Sequence, residues 1–252
     1  MSSWSAHRRA LIIVLLAAVG VTLASGIGFA VLYKVPSCTD GVKNQDETGI
    51  DCGGSCPYLC ESAVTPPVVR IARAIADEPG RVDAFFYVDN PNASAASYAA
   101  PYTLSLYDAS NTLIAEQSGT TELPPSATTP LFFPGIVSGD RTVAETFLTF
   151  GTNIPWKRYV DTRIIPTVTT PVVTDAATTP RISAAIGNPS ALPLANVKLI
   201  VAVFDDAGTV IAASQTVLPV IPPQSSATAT FTWNVPFSAP PAKVEVTPVV
   251  PL

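Results

Sequence analysis

Histidine is almost missing from this chain. The single one, His7, precedes a long apolar run, so the remainder holds no histidine-based triad, zinc-protease helix or histidine general base. Basic clusters are missing too. With 14 Lys+Arg against 19 Asp+Glu and a net charge of −5, there is no cationic stripe to neutralise phosphates, which excludes a nucleic-acid surface. Cysteine is absent outside one short window, Cys38 to Cys60, so nothing after Cys60 can be cross-linked. Charged residues make up only 13% of the chain, and no helical periodicity survives beyond the first apolar run, which argues against a helical cytosolic protein. What is present is 25 prolines and a body rich in Ala, Thr, Ser and Val, a composition suited to pleated, half-buried strands outside the cytoplasm.

From Ala10 to Tyr33 there is no charged residue. As a helix this run extends about 36 Å, enough to cross a hydrocarbon core with some tilt. Arg8 and Arg9 precede it and the following flank is acidic, so the positive-inside rule places residues 1–9 in the cytoplasm and the bulk outside, as a single-pass protein of the cell membrane. A cleaved signal peptide is the competing reading, with Thr22-Leu23-Ala24 as its cleavage site; the apolar run continues well past Ala24, which favours an uncleaved anchor at 10–33. Gly20, Ala24 and Gly28 fall on one helix face, the spacing of small-residue dimers and also of ordinary membrane helices, so a homodimer through this face is a candidate.

Residues 34–62 form a cysteine-rich segment. Cys38, Cys52, Cys56 and Cys60 lack the paired knuckles of zinc ribbons, and an even number just outside a membrane reads as two disulfides, with three connectivities open. The segment is too short and polar to bury a core, so cross-links must replace one. Asp40, Asn44, Asp46, Glu47 and Asp51 are interleaved with glycines. Such oxygen ligands suit calcium, although the EF-hand register is absent; the same residues also serve as turn caps in a solvated loop. The string Cys38-x-Asp40-Gly41-x-x-Asn44-x-x-Glu47-Thr48-x-x-Asp51-Cys52-Gly53-Gly54-x-Cys56 resembles a cysteine-rich motif of bacterial surface proteins that implies location and no activity.

The remainder contains a self-match. Leu106-Tyr107-Asp108 to Ala115 recurs as Val203-Phe204-Asp205 to Ala212, Asn90-Pro91 as Asn188-Pro189, and Leu123-Pro124-Pro125 as Ile221-Pro222-Pro223. A repeat this long is a whole domain. Short alternating segments separated by turn signals read as an antiparallel sandwich in each copy, at 68–152 and 159–252. The expected fold is therefore all-β: two antiparallel immunoglobulin-like β-sandwiches in tandem, preceded by a single transmembrane helix and a small disulfide-rich segment. Asn111 and Gly208 occupy the turn position that needs positive φ. Phe85 or Tyr87, Tyr107, Phe147, Phe204, Phe231 and Trp233 are the expected core aromatics.

The strings Leu104-Ser-Leu-Tyr-Asp and Val201-Ala-Val-Phe-Asp, each followed by a turn, resemble the signature of FxLYD-type modules, small immunoglobulin-like sandwiches of prokaryotic envelope proteins. Leu104 and Val201 stand where the name has Phe, and Phe204 replaces Tyr. The resemblance implies a fold and a location and supplies no catalytic residues.

Asp205-Asp206 reads as a turn pair rather than an acid/base pair. Asn92-Ala93-Ser94 fits a glycosylation sequon. Trp156-Lys157-Arg158-Tyr159 is the one basic-aromatic cluster, readable as a packed linker or as a face for a sugar, an anionic polymer or a partner. The sequence points to a non-catalytic, membrane-anchored structural or adhesive surface protein whose partner is a protein or a cell-surface polymer. The alternative is an accessory subunit of an envelope complex (secretion, pilus or transporter) that meets its partners through the membrane helix.

Overall fold

The computed structural model describes residues 3–32, 37–44, 46–76 and 78–252. They fall into two compact units, Met1–Cys56 and Pro57–Leu252, each taken by itself.

The first unit opens with α1, Ser3–Leu32. Leu, Ile, Val and Ala fill it, the stretch His7–Val31 carries no buried side chains, and among the described residues this is the one helix long and apolar enough to cross a membrane. The remainder is a loop stapled by a Cys38–Cys56 disulfide, with Gly49 and Cys52 bridged as a minimal antiparallel turn. Cys52 and Cys60 are oxidised as well, and no described cysteine is free. Two glycines are obligatory here. A Cβ on Gly53 would lie 1.9 Å from the Thr48 hydroxyl, and one on Gly54 would lie 2.1 Å from the Asp46 carbonyl, both at positive φ.

The second unit is built from β1 (Val68–Ala76), β2 (Arg81–Asn90), β3 (Ala95–Tyr107), β4 (Leu113–Leu123), β5 (Ala127–Val137), β6 (Glu145–Phe150), β7 (Trp156–Arg158), β8 (Thr167–Val168), β9 (Val172–Thr174), β10 (Arg181–Gly187), β11 (Leu194–Phe204), β12 (Val210–Ile221), β13 (Ser226–Thr232) and β14 (Lys243–Val249). They pair antiparallel as β1-β2-β5, β4-β3-β6 with β7 also on β3, β13-β10-β8 with β9 also on β10, and β12-β11-β14. In the second pair of sheets β10, β13, β11, β12 and β14 stand where β2, β5, β3, β4 and β6 do in the first; the short strands β8 and β9 take the place of β1, and β7 has no counterpart among the described residues. The all-β fold expected from the pattern is the fold observed.

Each pair of sheets encloses a core. Phe86, Val88, Leu104, Leu106, Leu123 and Trp156 fill the first, and Ile182, Ile186, Leu199, Val201, Val203 and Phe231 the second. A third apolar cluster lies between the sandwiches. Phe85 and Tyr87 of β2, with Ile71, Ile75 and Phe132, pack against Ile200, Ala202 and Phe204 of β11, with Val210, Ala213 and Val249. The sheets therefore stack four deep: β4-β3-β6, β1-β2-β5, β12-β11-β14, β13-β10-β8. Because β2 and β11 are covered on both faces, each is apolar at consecutive positions, Ala84 to Val88 and Leu199 to Phe204, where a half-exposed strand would alternate.

Some expectations need correcting. Phe85, Tyr87 and Phe204 belong to the seam between modules rather than to a module core. Tyr107 is half-buried and Phe147 is 47% exposed, because both lie on the outward face of β4-β3-β6, where their rings meet edge to face. The first module extends past its expected end at 152: the stretch at Trp156 is packed, and β7 adds to that module's sheet opposite Ala95–Ser97.

Candidate functional sites

The carboxylates of the cysteine loop cap its backbone. Asp51 accepts from the amides of Asp40, at 3.0 Å, and Gly41, at 2.9 Å. Asp40 accepts from the Val42 amide and the Asn44 side chain, and Asp46 from the Ser55 hydroxyl. Glu47 is buried and accepts from the amides of Asn44 and Asp51. Its other oxygen lies 3.2 Å from the Cys56 sulfur, which as a disulfide has no proton to give. Among the described residues, the ligand-type side chains that converge are Cys38, Glu47 and Cys56, and two of those three ligand atoms are tied up in the disulfide. The side-chain oxygen Oδ1 of Asn44 is buried without a partner, while its backbone carbonyl accepts from the Glu47 amide at 3.2 Å. In α1, Gly20 and Gly28 have nothing within 4 Å of their Cβ positions.

The repeated motifs have a mechanical explanation. The buried Asn90 amide nitrogen donates to the carbonyls of Ala95, Leu123 and Pro124, at 2.8, 3.2 and 2.8 Å. Asn188 does the same to Leu192, Ile221 and Pro222. One side chain thus pins the β2–β3 turn to the β4–β5 turn, and the second module repeats the arrangement between β10–β11 and β12–β13. Asp108 caps the amides of Ser110 and Thr112, and Asp205 that of Thr209, so the recurring Asp sets the hairpin register, with Asn111 and Gly208 at positive φ. The hydrogen bond from the Thr112 amide, with those from Ser110, holds the Asp108 carboxyl below its ordinary range. The sequon asparagine is committed as well: Asn92 donates to the Thr65 carbonyl at 2.7 Å and accepts from the Thr65 amide at 2.8 Å, holding the entry to β1.

At the rim of the seam lies a groove of about 500 Å³ lined by Arg70, Tyr87, Thr128, Lys243, Glu245 and Thr247 among others. Its charges are paired. Arg70 meets Asp89 at 3.2 Å, Lys243 meets Glu245, and the Tyr87 hydroxyl donates to Glu245 at 2.6 Å across the modules. Burial, reinforced by that carboxylate, pushes the Tyr87 phenol up. Burial works to raise Glu245, but Lys243 and Tyr87 outweigh it and hold the group below its ordinary value. The groove is a polar staple on an apolar seam.

Trp156 is buried in the first core, and its carbonyl accepts from the Leu59 amide at 2.8 Å. Lys157, next along β7, is bridged to Tyr58 on one side and paired with Ala96 of β3 on the other. Its ammonium lies 5.2 Å from the Tyr58 ring centroid and 5.4 Å from that of Tyr98. Tyr98 meets Tyr159 edge to face at 6.2 Å. The role of Tyr58 was not visible in the sequence, because the strand bridge that recruits it joins segments distant along the chain.

No family model matches the chain, and no curated protein matches it. Among solved structures, red sea bream transglutaminase aligns over 73% of this chain with a TM-score of 0.24 and 14% identity; the chain spans 29% of that structure's length, and a likeness this slight carries no argument.

Proposed function

We propose that this chain is a membrane-anchored, extracytoplasmic surface protein with a structural or adhesive task and no catalysis of its own. The apolar cluster between the modules carries this reading: Phe85, Tyr87 and Phe132 against Ile200 and Phe204 weld two sandwiches into one stiff four-layer body. A rigid body with short loops, joined in sequence to one apolar helix through a disulfide-stapled loop, suits spacing or display. The resemblance of Leu104–Asp108 and Val201–Asp205 to FxLYD-type modules supports an envelope location.

The test is topology in the native membrane. An epitope at each end, probed with and without permeabilisation, reports sidedness, and the N-terminal epitope also reports retention of α1. An intact chain with its C-terminal end exposed outside is expected. A chain recovered without α1, or with Leu252 facing the cytoplasm, overturns the anchored reading. The accessory-subunit reading draws on the open Gly20–Gly28 face of α1. Cross-linking at Ala24 to a second membrane protein would favour it over free display.

A further inference from the structure

We propose that Tyr58, Tyr98, Tyr159 and Lys157 form a binding site for the carboxylate-bearing sugar rings of an acidic polysaccharide. The proposal deepens the adhesive reading and rests on it.

Three chain segments build the site on one face of a small sheet. Tyr58 follows the cysteine loop, Tyr98 projects from β3, and Lys157 sits between them on β7, with Tyr159 fixed by its amide to the Ser94 carbonyl at 2.9 Å. Ala96, opposite Lys157, is fully buried beneath the cluster. The frame is therefore rigid, anchored from below by buried Trp156.

The side chains in this frame are under-used. Among the described residues Lys157 has no carboxylate partner; it is the faces of two tyrosines that hold its ammonium. Elsewhere in this unit Arg70, Arg163 and Lys243 are each ion-paired. Among the described residues no hydrogen bond engages the hydroxyls of Tyr58, Tyr98 or Tyr159, while Tyr58 and Tyr98 keep 38% and 44% of their surface open. An ammonium has three donors to give. A ligand that satisfies all of this needs an anion, flat apolar faces beside it and hydroxyls at the rim. A uronic-acid ring supplies all three: its carboxylate meets Lys157, its C–H face lies on a phenol ring, and its hydroxyls meet the tyrosine hydroxyls. A bare phosphate uses only the charge and leaves the ring faces and the tyrosine hydroxyls without partners.

The experiment titrates the full-length chain, in detergent micelles, with an alginate hexasaccharide by calorimetry. Maltohexaose supplies rings without charge, and inorganic polyphosphate supplies charge without rings. Saturable binding of the uronate is expected, weaker binding of maltohexaose, and none of polyphosphate. Lys157→Gln and Tyr98→Ala should each weaken the uronate by about tenfold, and Lys157→Arg by less, since it keeps charge and stacking. Trp156 emission, read with Trp4 and Trp233 replaced by phenylalanine, reports the core directly below and checks that each variant is folded. No saturable uronate binding by the wild-type chain, unchanged affinity in Lys157→Gln, or polyphosphate binding as tight as uronate overturns the proposal. Because binding is read in micelles and sidedness in the membrane, failure here with correct topology removes the ligand and leaves the anchored scaffold standing.

Discussion

Replacing Phe85 with alanine tests whether the seam joins the modules energetically as well as spatially. The ring is fully buried between β2 and the sheet of β11, and takes no part in the core of its own sandwich. At ~25 cal/mol per Å² over about 200 Å² of aromatic surface, its burial is worth about 5 kcal/mol, and truncating such a ring costs about 3–5 kcal/mol. Two tryptophans report the modules separately. Trp156 is buried in the first core, and Trp233 is half-buried at the edge of the second, its ring nitrogen donating to the Ala213 carbonyl. With the other tryptophans replaced by phenylalanine, denaturant titrations of the Trp156-only and Trp233-only chains should coincide in the wild-type background, because one cooperative unit melts once. Phe85→Ala should separate the two transitions and lower at least one by several kcal/mol. Phe147→Ala, removing a ring of similar size from the exposed face, should cost under about 1 kcal/mol and leave the transitions coincident. Separate transitions in the wild-type background, or Phe85→Ala indistinguishable from Phe147→Ala, would refute the reasoning.

Asn188→Ala strands buried carbonyls on two turns and should cost about 2–4 kcal/mol by thermal or chemical unfolding; Asn188→Asp, which aims a carboxylate at the same carbonyls, should cost more. Hydrogen bonds from Arg163 hold the Asp161 carboxyl down at about 2, and Arg163 in turn donates to the Val250 carbonyl. A depressed carboxylate stabilises the fold above its ordinary value and loses that contribution as pH falls through the depressed one, so stability should drop between about pH 4 and pH 2. That drop should shrink in Asp161→Asn, as read by melts across this window. Calcium should leave the melting of the cysteine loop unshifted, since the carboxylates of Asp51 and Glu47 already accept backbone amides; saturable heat abolished by Asp51→Ala would show a cation displacing them.

Much of the sandwich was legible because its signals are local. The Asn-Pro, Pro-Pro and Leu-Tyr-Asp strings recur because each performs one job that a single side chain and its neighbouring backbone can complete: the asparagine pin, the turn, the aspartate cap. The seam was less legible. Continuous apolar runs at Ala84–Val88 and Leu199–Phe204 announce strands buried on both faces, but which sheet covers them is decided across a hundred residues of chain. Phe147 was misplaced for a related reason: in a strand as short as β6, alternation separates two faces without saying which is inward. The tyrosine–lysine cluster was half legible. Trp156–Tyr159 stands out by composition, whereas Tyr58 and Tyr98 join it through strand pairing alone.

The two modules meet through different faces. The first offers its β1-β2-β5 sheet, and the second offers the counterpart of β4-β3-β6. Such a contact has a direction, like a brick with a socket on one side and a peg on the other, and each further copy would lengthen the row by one without closing it. The residues on the two outward faces end it. Where the first module has Phe85, Tyr87 and Phe132, the second has Ser183, Ala185 and Thr230; where the second has Ile200, Ala202 and Phe204, the first has Thr103, Ser105 and Tyr107. The head-to-tail geometry would accept a further copy at either end, and the smaller or more polar residues at these six positions leave no apolar face to receive one.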